Sequence, residues 1–83
     1  MNVHAHPLQK TGILSITGGI HSEEAALTLK AALEDLPGVY ATETTRNPVR
    51  LRFDPYLVTE QQFYGAAKIA GFHASDFTVL PES

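Results

Sequence analysis

The chain has 83 residues, a formal net charge of −3 and no cysteine. This length favours one domain with a single modest core, and the lack of cysteine excludes a disulfide framework, a thiolate metal site and a cysteine nucleophile. The negative charge provides no overall attraction to nucleic acid or to an anionic membrane. No apolar run approaches the roughly 20 residues that cross a bilayer, and the start of the chain lacks a signal-peptide segment. We therefore expect a cytoplasmic location without membrane insertion.

The chain begins with a polar segment that precedes the first predicted strand. Residues 1–10 include His4 and His6 and have no apolar period, which indicates a flexible leader before a domain at residues 11–83. Residues 12–17 are rich in β-branched side chains and stop at two glycines, a pattern that is typical of a strand followed by a tight turn.

A helix is predicted directly after this turn. Ser22 suits the N-cap, and Glu23 and Glu24 fall in the first turn, where negative charge complements the helix dipole. The Leu-Pro-Gly sequence at 36–38 ends the helix, because proline cannot continue it and glycine permits the turn out. Apolar residues at helical spacing define its inner face: Ala25, Leu29, Ala32, Leu33 and Leu36.

Two further strands are predicted to form an antiparallel hairpin. Residues 39–45 favour β structure, and the Arg-Asn-Pro sequence at 46–48 indicates a turn. Residues 49–54 then show the plainest alternation in the chain, with Val49, Leu51 and Phe53 on one face and Arg50, Arg52 and Asp54 on the other.

The last third of the chain predicts a second helix and a final strand. Thr59 suits the N-cap of this helix, and Gly71 closes it. Its inner face contains Phe63, Ala66, Ala67 and Ala70. Residues 72–80 form the strand, in which either Phe77 and Val79 or Thr78 and Leu80 face inward, according to register.

The predicted order is strand, helix, strand, strand, helix, strand. Two strand-helix-strand units in one small domain require right-handed crossovers. They predict an α+β, ferredoxin-like βαββαβ sandwich, in which a four-stranded antiparallel sheet is covered on one face by two helices. Because this fold hosts many activities, it does not by itself define a function.

Four sequence blocks resemble one family. They are ALEDLPGV at 32–39, VRLRFDP at 49–55, VT at 58–59 and AAKIAGF at 66–72. In this order and spacing they resemble the heavy-metal-associated domain of copper chaperones and of the N-termini of metal-transporting P-type ATPases. The resemblance covers residues 12–80 and implies the ferredoxin-like fold and a lineage in metal transport.

The chain departs from this family where the first strand meets the first helix. The family carries two cysteines there, in a CxxC motif that holds soft metal ions through thiolates. Alignment from the strand side, with Gly18 as the motif glycine, places His21 and Glu24 at the cysteine positions. Alignment from the helix side places Ser22 and Ala25 there. The loop is one residue longer than is usual in the family, so both alignments stay open.

The missing thiolates favour a protein-interaction or regulatory module that acts without a metal ion or another cofactor. The resemblance implies a partner surface around the metal loop, which here comprises His21, Glu23, Glu24 and Phe72. The implied partners are a metal-transporting ATPase, another heavy-metal-associated domain or a second copy of this chain.

An alternative is low-affinity binding of Zn(II), Ni(II) or Cu(II). Imidazole and carboxylate are suitable ligands for these ions, and His21 with Glu24 would supply one of each. Two ligands leave a site open, although His4 or His6 could add a third.

A second alternative is nucleic-acid binding on the open face of the sheet. Arg50 and Arg52 are predicted to point to that face, with Arg46 nearby, but no outward aromatic residue accompanies them for base stacking. Catalysis is not expected, because no nucleophile stands beside a base in a known motif and no phosphate-binding loop is present.

Overall fold

A computed structural model describes residues 9–81. It contains β1 (Lys10–Thr17), α1 (Glu23–Glu34), β2 (Val39–Glu43), β3 (Val49–Phe53), α2 (Glu60–Ile69) and β4 (His73–Val79). The predicted order of elements is confirmed. Most of the predicted leader, including His4 and His6, lies outside the described residues, and Lys10 already belongs to β1. Neither of the two helices in the described part of the chain is long and apolar enough to cross a membrane.

The four strands form one sheet in the order β2-β3-β1-β4. β1 lies antiparallel to both β3 and β4, and β2 lies antiparallel to the outer side of β3. Both helices contribute to one hydrophobic core against the sheet. This arrangement confirms the predicted ferredoxin-like sandwich.

The core lies between the helices and the inward face of the sheet. The alternation in β3 predicts this face correctly, because Val49, Leu51 and Phe53 are buried while the two arginines between them are exposed. The helices add Leu29, Leu33, Phe63, Ala66 and Ala67. Complete burial of a leucine or phenylalanine side chain stabilises the fold by about 1.5–3 kcal/mol. The inner face of α1 differs from the prediction at one position, since Ala26 is buried and Ala25 is half-buried.

The register of β4 places Phe77 on the core side. Phe77 packs against Phe53 and Phe63 with ring centroids 5.6 and 4.9 Å apart. Gly12 makes room for this ring, because a Cβ atom at that position would lie 2.5 Å from Phe77. Of the two predicted registers, the one with Phe77 inward is confirmed, although its companion Val79 is 42% exposed near the end of the strand.

The outer edge of β2 is closed by side chains from α1. The Thr42 N–H donates to a Glu34 carboxylate oxygen at 2.9 Å, and the Lys30 ammonium donates to the Thr42 carbonyl at 3.1 Å. Lys30 and Glu34 also form an ion pair at 3.5 Å. These contacts satisfy backbone groups that an edge strand would otherwise leave open to another chain.

Candidate functional site

The loop between β1 and α1 turns through two glycines in the left-handed region. Gly18 has φ +84° and Gly19 has φ +81°. A residue with a side chain pays roughly 1–2 kcal/mol to adopt this conformation. The two glycines therefore allow the chain to leave the sheet and enter the helix within five residues.

The His21 ring folds back over this turn. Its Nε2 atom contacts the Gly18 carbonyl oxygen, which can only accept a hydrogen bond. A neutral His21 ring that donates to this oxygen carries its proton on Nε2 and leaves Nδ1 free to accept. Gly19 leaves space for the ring, because a Cβ atom there would lie 3.3 Å from His21 Cε1.

Ser22 is the N-cap of α1, as predicted. Its Oγ accepts a hydrogen bond from the Ala25 N–H at 3.0 Å, which satisfies one of the free donors at the helix start. Glu23 and Glu24 occupy the first turn. Their carboxylates are exposed, and they give this end of the helix a negative surface over its positive dipole.

A groove beside the loop brings together part of the predicted partner surface. His21 and Glu24 line it from the α1 side, and Phe72 lines it from the segment between α2 and β4. Glu23 lies on the other side of the helix start, in a depression shared with Thr44. The four predicted residues therefore divide into a groove with three members and a separate flank with one.

The groove also contains both pairs of candidate cysteine equivalents. Ser22 and Ala25 line it together with His21 and Glu24. Thr28 and Gly71 complete its wall, and sequence reasoning missed their contribution. The spacing of Thr28, one helical turn after Glu24, was the available signal for it.

The described residues provide a sparse set of metal ligands. Between residues 9 and 81, no group of three or more histidine, aspartate or glutamate residues could hold an ion. His21 and Glu24 line one groove, whereas His73 is exposed on β4 opposite Thr17. Structural metal sites usually have four protein ligands, and the described residues do not bring such a set together.

Two polar side chains in the adjoining β2–β3 turn hold the base of the loop. The Asn47 side chain accepts from the Ile16 N–H at 3.0 Å and donates to the Ile16 carbonyl at 2.9 Å. The Thr44 hydroxyl donates to the Ala26 carbonyl at 2.7 Å in a buried contact. Sequence reasoning identified Asn47 only as a turn residue, because its partner lies 31 positions away.

The open face of the sheet carries the arginines predicted for it. Arg50 lies opposite Ile13 and Arg52 opposite Thr11. On their other side, Glu43 faces Arg50 and Ala41 faces Arg52. A shallow cleft lies at these arginines, and none of its lining residues between 9 and 81 is aromatic, so stacking of nucleic-acid bases has no support from the described residues.

Solved structures with the same architecture are found among metal-handling proteins. Oxidised MerP from Ralstonia metallidurans CH34 has a TM-score of 0.71 and 23% sequence identity, over 82% of this chain and 96% of that one. A copper-binding domain from the P-type ATPase HMA7 has a TM-score of 0.65 and 24% identity, over 88% and 93% of the two chains. The CopZ metallochaperone has a TM-score of 0.68 and 18% identity, over 82% and 100%.

This chain has the fold of these three structures. The ferredoxin-like fold that the resemblance in the sequence implied is thus confirmed. No model of a protein family and no curated protein matches the sequence. The likeness consequently concerns the fold, while the chemistry of the loop has to be argued from the residues of this chain.

Proposed function

We propose that this chain is a heavy-metal-associated domain without a thiolate site, which acts in the cytoplasm as a metal-independent, non-catalytic docking module. The observation that carries the proposal is the set of hydrogen-bond contacts within the β1–α1 loop and the first turn of α1. The polar groups of the loop complete a turn and a helix cap, through His21 with Gly18 and Ser22 with Ala25. These contacts support a loop that is held in place by its own polar groups.

The docking surface is the groove of His21, Glu24 and Phe72 with Glu23 on its flank. The two carboxylates make this surface negative, while the half-buried Phe72 ring adds apolar area. We propose a partner domain of the same fold that presents lysine or arginine, such as the soluble domain of a metal-transporting ATPase. Complementary charge speeds encounter and selects among partners.

Binding to such an ATPase domain tests the proposal. Titration calorimetry with the soluble domain of a metal-transporting ATPase from the same genome, in EDTA, should show saturable binding. Glu24→Lys should weaken it about tenfold or more, because a like charge at an interface costs several kcal/mol. Asp35→Lys makes the same charge change in the residue that ends the same helix and should leave affinity unchanged.

Two outcomes would contradict docking through the groove. One is equal loss of affinity in Glu24→Lys and Asp35→Lys, which would indicate a general charge effect. The other is binding that disappears in EDTA and returns with an added metal ion. Sedimentation across protein concentration provides the corresponding test for a second copy of this chain as the partner.

A second candidate function is low-affinity binding of Zn(II), Ni(II) or Cu(II). The contact between His21 Nε2 and the Gly18 carbonyl favours it, because metal-binding histidines commonly donate one ring N–H to a carbonyl and bind the ion with the other nitrogen. Nδ1 of His21 and the Glu24 carboxylate would be the two ligands. Each ion should then shift the amide resonances of residues 19–25.

The histidines of this chain provide a matched test of the metal site. Saturable shifts that vanish in His21→Ala and persist in His73→Ala would support binding by His21. An absence of shifts at sub-millimolar ion would exclude this site and leave the docking proposal untouched. Cu(I) should bind least, because the described loop contains no soft ligand.

A further inference from the structure

The open face of the sheet carries a basic cleft that the docking surface does not use. This cleft, of about 580 Å³, is lined by Thr11, Arg50, Arg52, Leu80 and neighbouring residues. None of the lining residues is acidic, although acidic residues outnumber lysine and arginine by nine to six in the chain as a whole. The local charge is therefore opposite to that of the whole chain.

Within the described residues, the two guanidinium groups of the cleft have no ion-pair partner. Among residues 9–81, neither Arg50 nor Arg52 forms an ion pair or a hydrogen bond through its side chain. They lie two residues apart on β3, so their Cα atoms are separated by roughly 7 Å. Two like charges at this distance repel each other, and a bound anion would relieve that repulsion.

The surroundings of the two arginines differ. Glu43 lies directly opposite Arg50 on β2 and partly offsets its charge. Arg52 lies between Ala41 and Thr11, which are uncharged. The positive potential is thus centred on Arg52, beside the hydroxyl-bearing Thr11.

We propose that this cleft binds a compact polyanion whose oxygen atoms belong to carboxylate or phosphate groups. The planar guanidinium fork matches both groups with paired N–H donors. The apolar Leu80 and the β-branched Thr11 form a floor beside the forks. A nucleic-acid strand is disfavoured as the occupant, since the cleft lacks an aromatic platform.

Amide-shift titrations of the full chain with citrate and with pyrophosphate test the proposal and distinguish the two anion sources. Ionic strength is held constant with sodium chloride. Saturable shifts at residues 9–13, 50–52 and 78–81, with a dissociation constant of about 1 mM or lower, are expected for at least one anion. Shifts that rise linearly, or that sodium chloride alone reproduces, would overturn the proposal.

Four variants give the test its specificity. Arg52→Gln should weaken binding about tenfold, because it removes charge-assisted hydrogen bonds. Arg50→Gln should weaken it less, and Glu43→Gln should strengthen it, since Glu43 competes with the anion for Arg50. Arg46→Gln removes an exposed arginine that does not line the cleft and should leave affinity unchanged.

The remaining outcomes are also decisive. Equal effects of Arg52→Gln and Arg46→Gln would mean that only net charge matters, and would overturn the site. Binding of a short single-stranded RNA at the same residues, more tightly than pyrophosphate, would assign the face to nucleic acid instead. If an arginine variant unfolds, Glu43→Gln still tests the site, because it should strengthen anion binding while both arginines stay in place. Binding at the groove near His21 is measured separately, so failure of either proposal leaves the other intact.

Discussion

Two connections lie side by side at one end of the sheet, and their hydrogen bonds have different reach. In the β1–α1 loop, His21 contacts Gly18 and Ser22 caps Ala25, so each bond joins residues three positions apart and is exposed. In the β2–β3 turn, Thr44 reaches across 18 positions to Ala26, in a buried contact. Asn47 reaches across 31 positions, in a partly buried one.

This difference distinguishes the β2–β3 turn, which supports the fold, from the β1–α1 loop, which forms the exposed surface. The turn binds backbone groups of β1 and α1, and it holds the position from which the loop starts. The polar residues of the loop bond within the loop and the first turn of α1, and Ile20 packs against the core. The exposed polar positions of the loop can therefore change without loss of the fold, which explains how a chain without cysteine retains it.

The largest effect is expected from Asn47→Ala. This substitution removes two hydrogen bonds and takes away the side-chain partner of the Ile16 N–H, while the Ile16 carbonyl still accepts from the Gly19 N–H, so it should lower the free energy of unfolding by about 2 kcal/mol. Urea unfolding at 25 °C measures the loss. Thr45→Ala, at an exposed neighbour, is the control and should change stability by less than about 0.5 kcal/mol. Equal stability of the two variants would show that the Asn47 hydrogen bonds do not support the fold, and the contrast between the turn and the loop would then fail.

Thr44→Val and Thr42→Val should have opposite signs. Both side chains are buried, but the Thr44 hydroxyl donates to Ala26, whereas the Thr42 hydroxyl has no partner within the described residues. Valine has a similar shape, so Thr44→Val should cost about 1.5 kcal/mol through loss of this buried hydrogen bond. Thr42→Val should raise stability by up to about 1 kcal/mol. Thermal unfolding measures both effects. If Thr42→Val is also destabilising, the Thr42 hydroxyl has a hydrogen-bond partner after all, and the contrast between the two threonines fails.

Ser22→Ala should cost about 1 kcal/mol, because it removes the N-cap bond to the Ala25 N–H. Ser22→Asp should retain most of the stability, since a carboxylate also caps a helix start and favours its dipole. Chemical denaturation of the three proteins tests this order. If Ser22→Ala lowers the free energy of unfolding as much as Asn47→Ala does, the loop supports the fold as strongly as the β2–β3 turn.

The smallest effect is expected from Tyr64→Phe. The Tyr64 hydroxyl donates to Glu60 at 2.7 Å, the same length as the Thr44 contact, but this pair is exposed on α2. At neutral pH the substitution should lower the unfolding midpoint only slightly and by less than Thr44→Val does, because solvent screens an exposed pair, which would show that burial rather than bond length sets most of the value of such contacts. A loss equal to that in Thr44→Val would contradict this reasoning.

The same pair predicts an alkaline effect. The hydrogen bond to Glu60, with smaller contributions from burial and nearby carboxylates, raises the pKa of Tyr64 from 10.0 to about 12. The unfolded chain then loses its proton first as the pH rises. The stabilisation is fully present below pH 10 and is lost as the pH passes about 12. Phenolate absorbance should show a late-titrating tyrosine that disappears in Tyr64→Phe.

The elements, their order and most of the core could be predicted from the amino-acid sequence. Period-two alternation in β3 and helical spacing in α1 and α2 are local patterns, and Ser22 and Thr59 were identifiable as N-caps. The four blocks of the heavy-metal-associated family pointed to the fold. Each of these signals depends on residues close together in the chain.

Only the tertiary structure decided which distant groups meet. The choice of Phe77 as the inward residue of β4 depends on pairing with β1, where Gly12 leaves space for the ring. Glu23 and Glu24 are neighbours in sequence, yet they flank different depressions because successive helix positions point about 100° apart. Asn47 binds Ile16 across 31 positions, a pairing that no local pattern encodes, since it is set by the packing of the hairpin against the central strand.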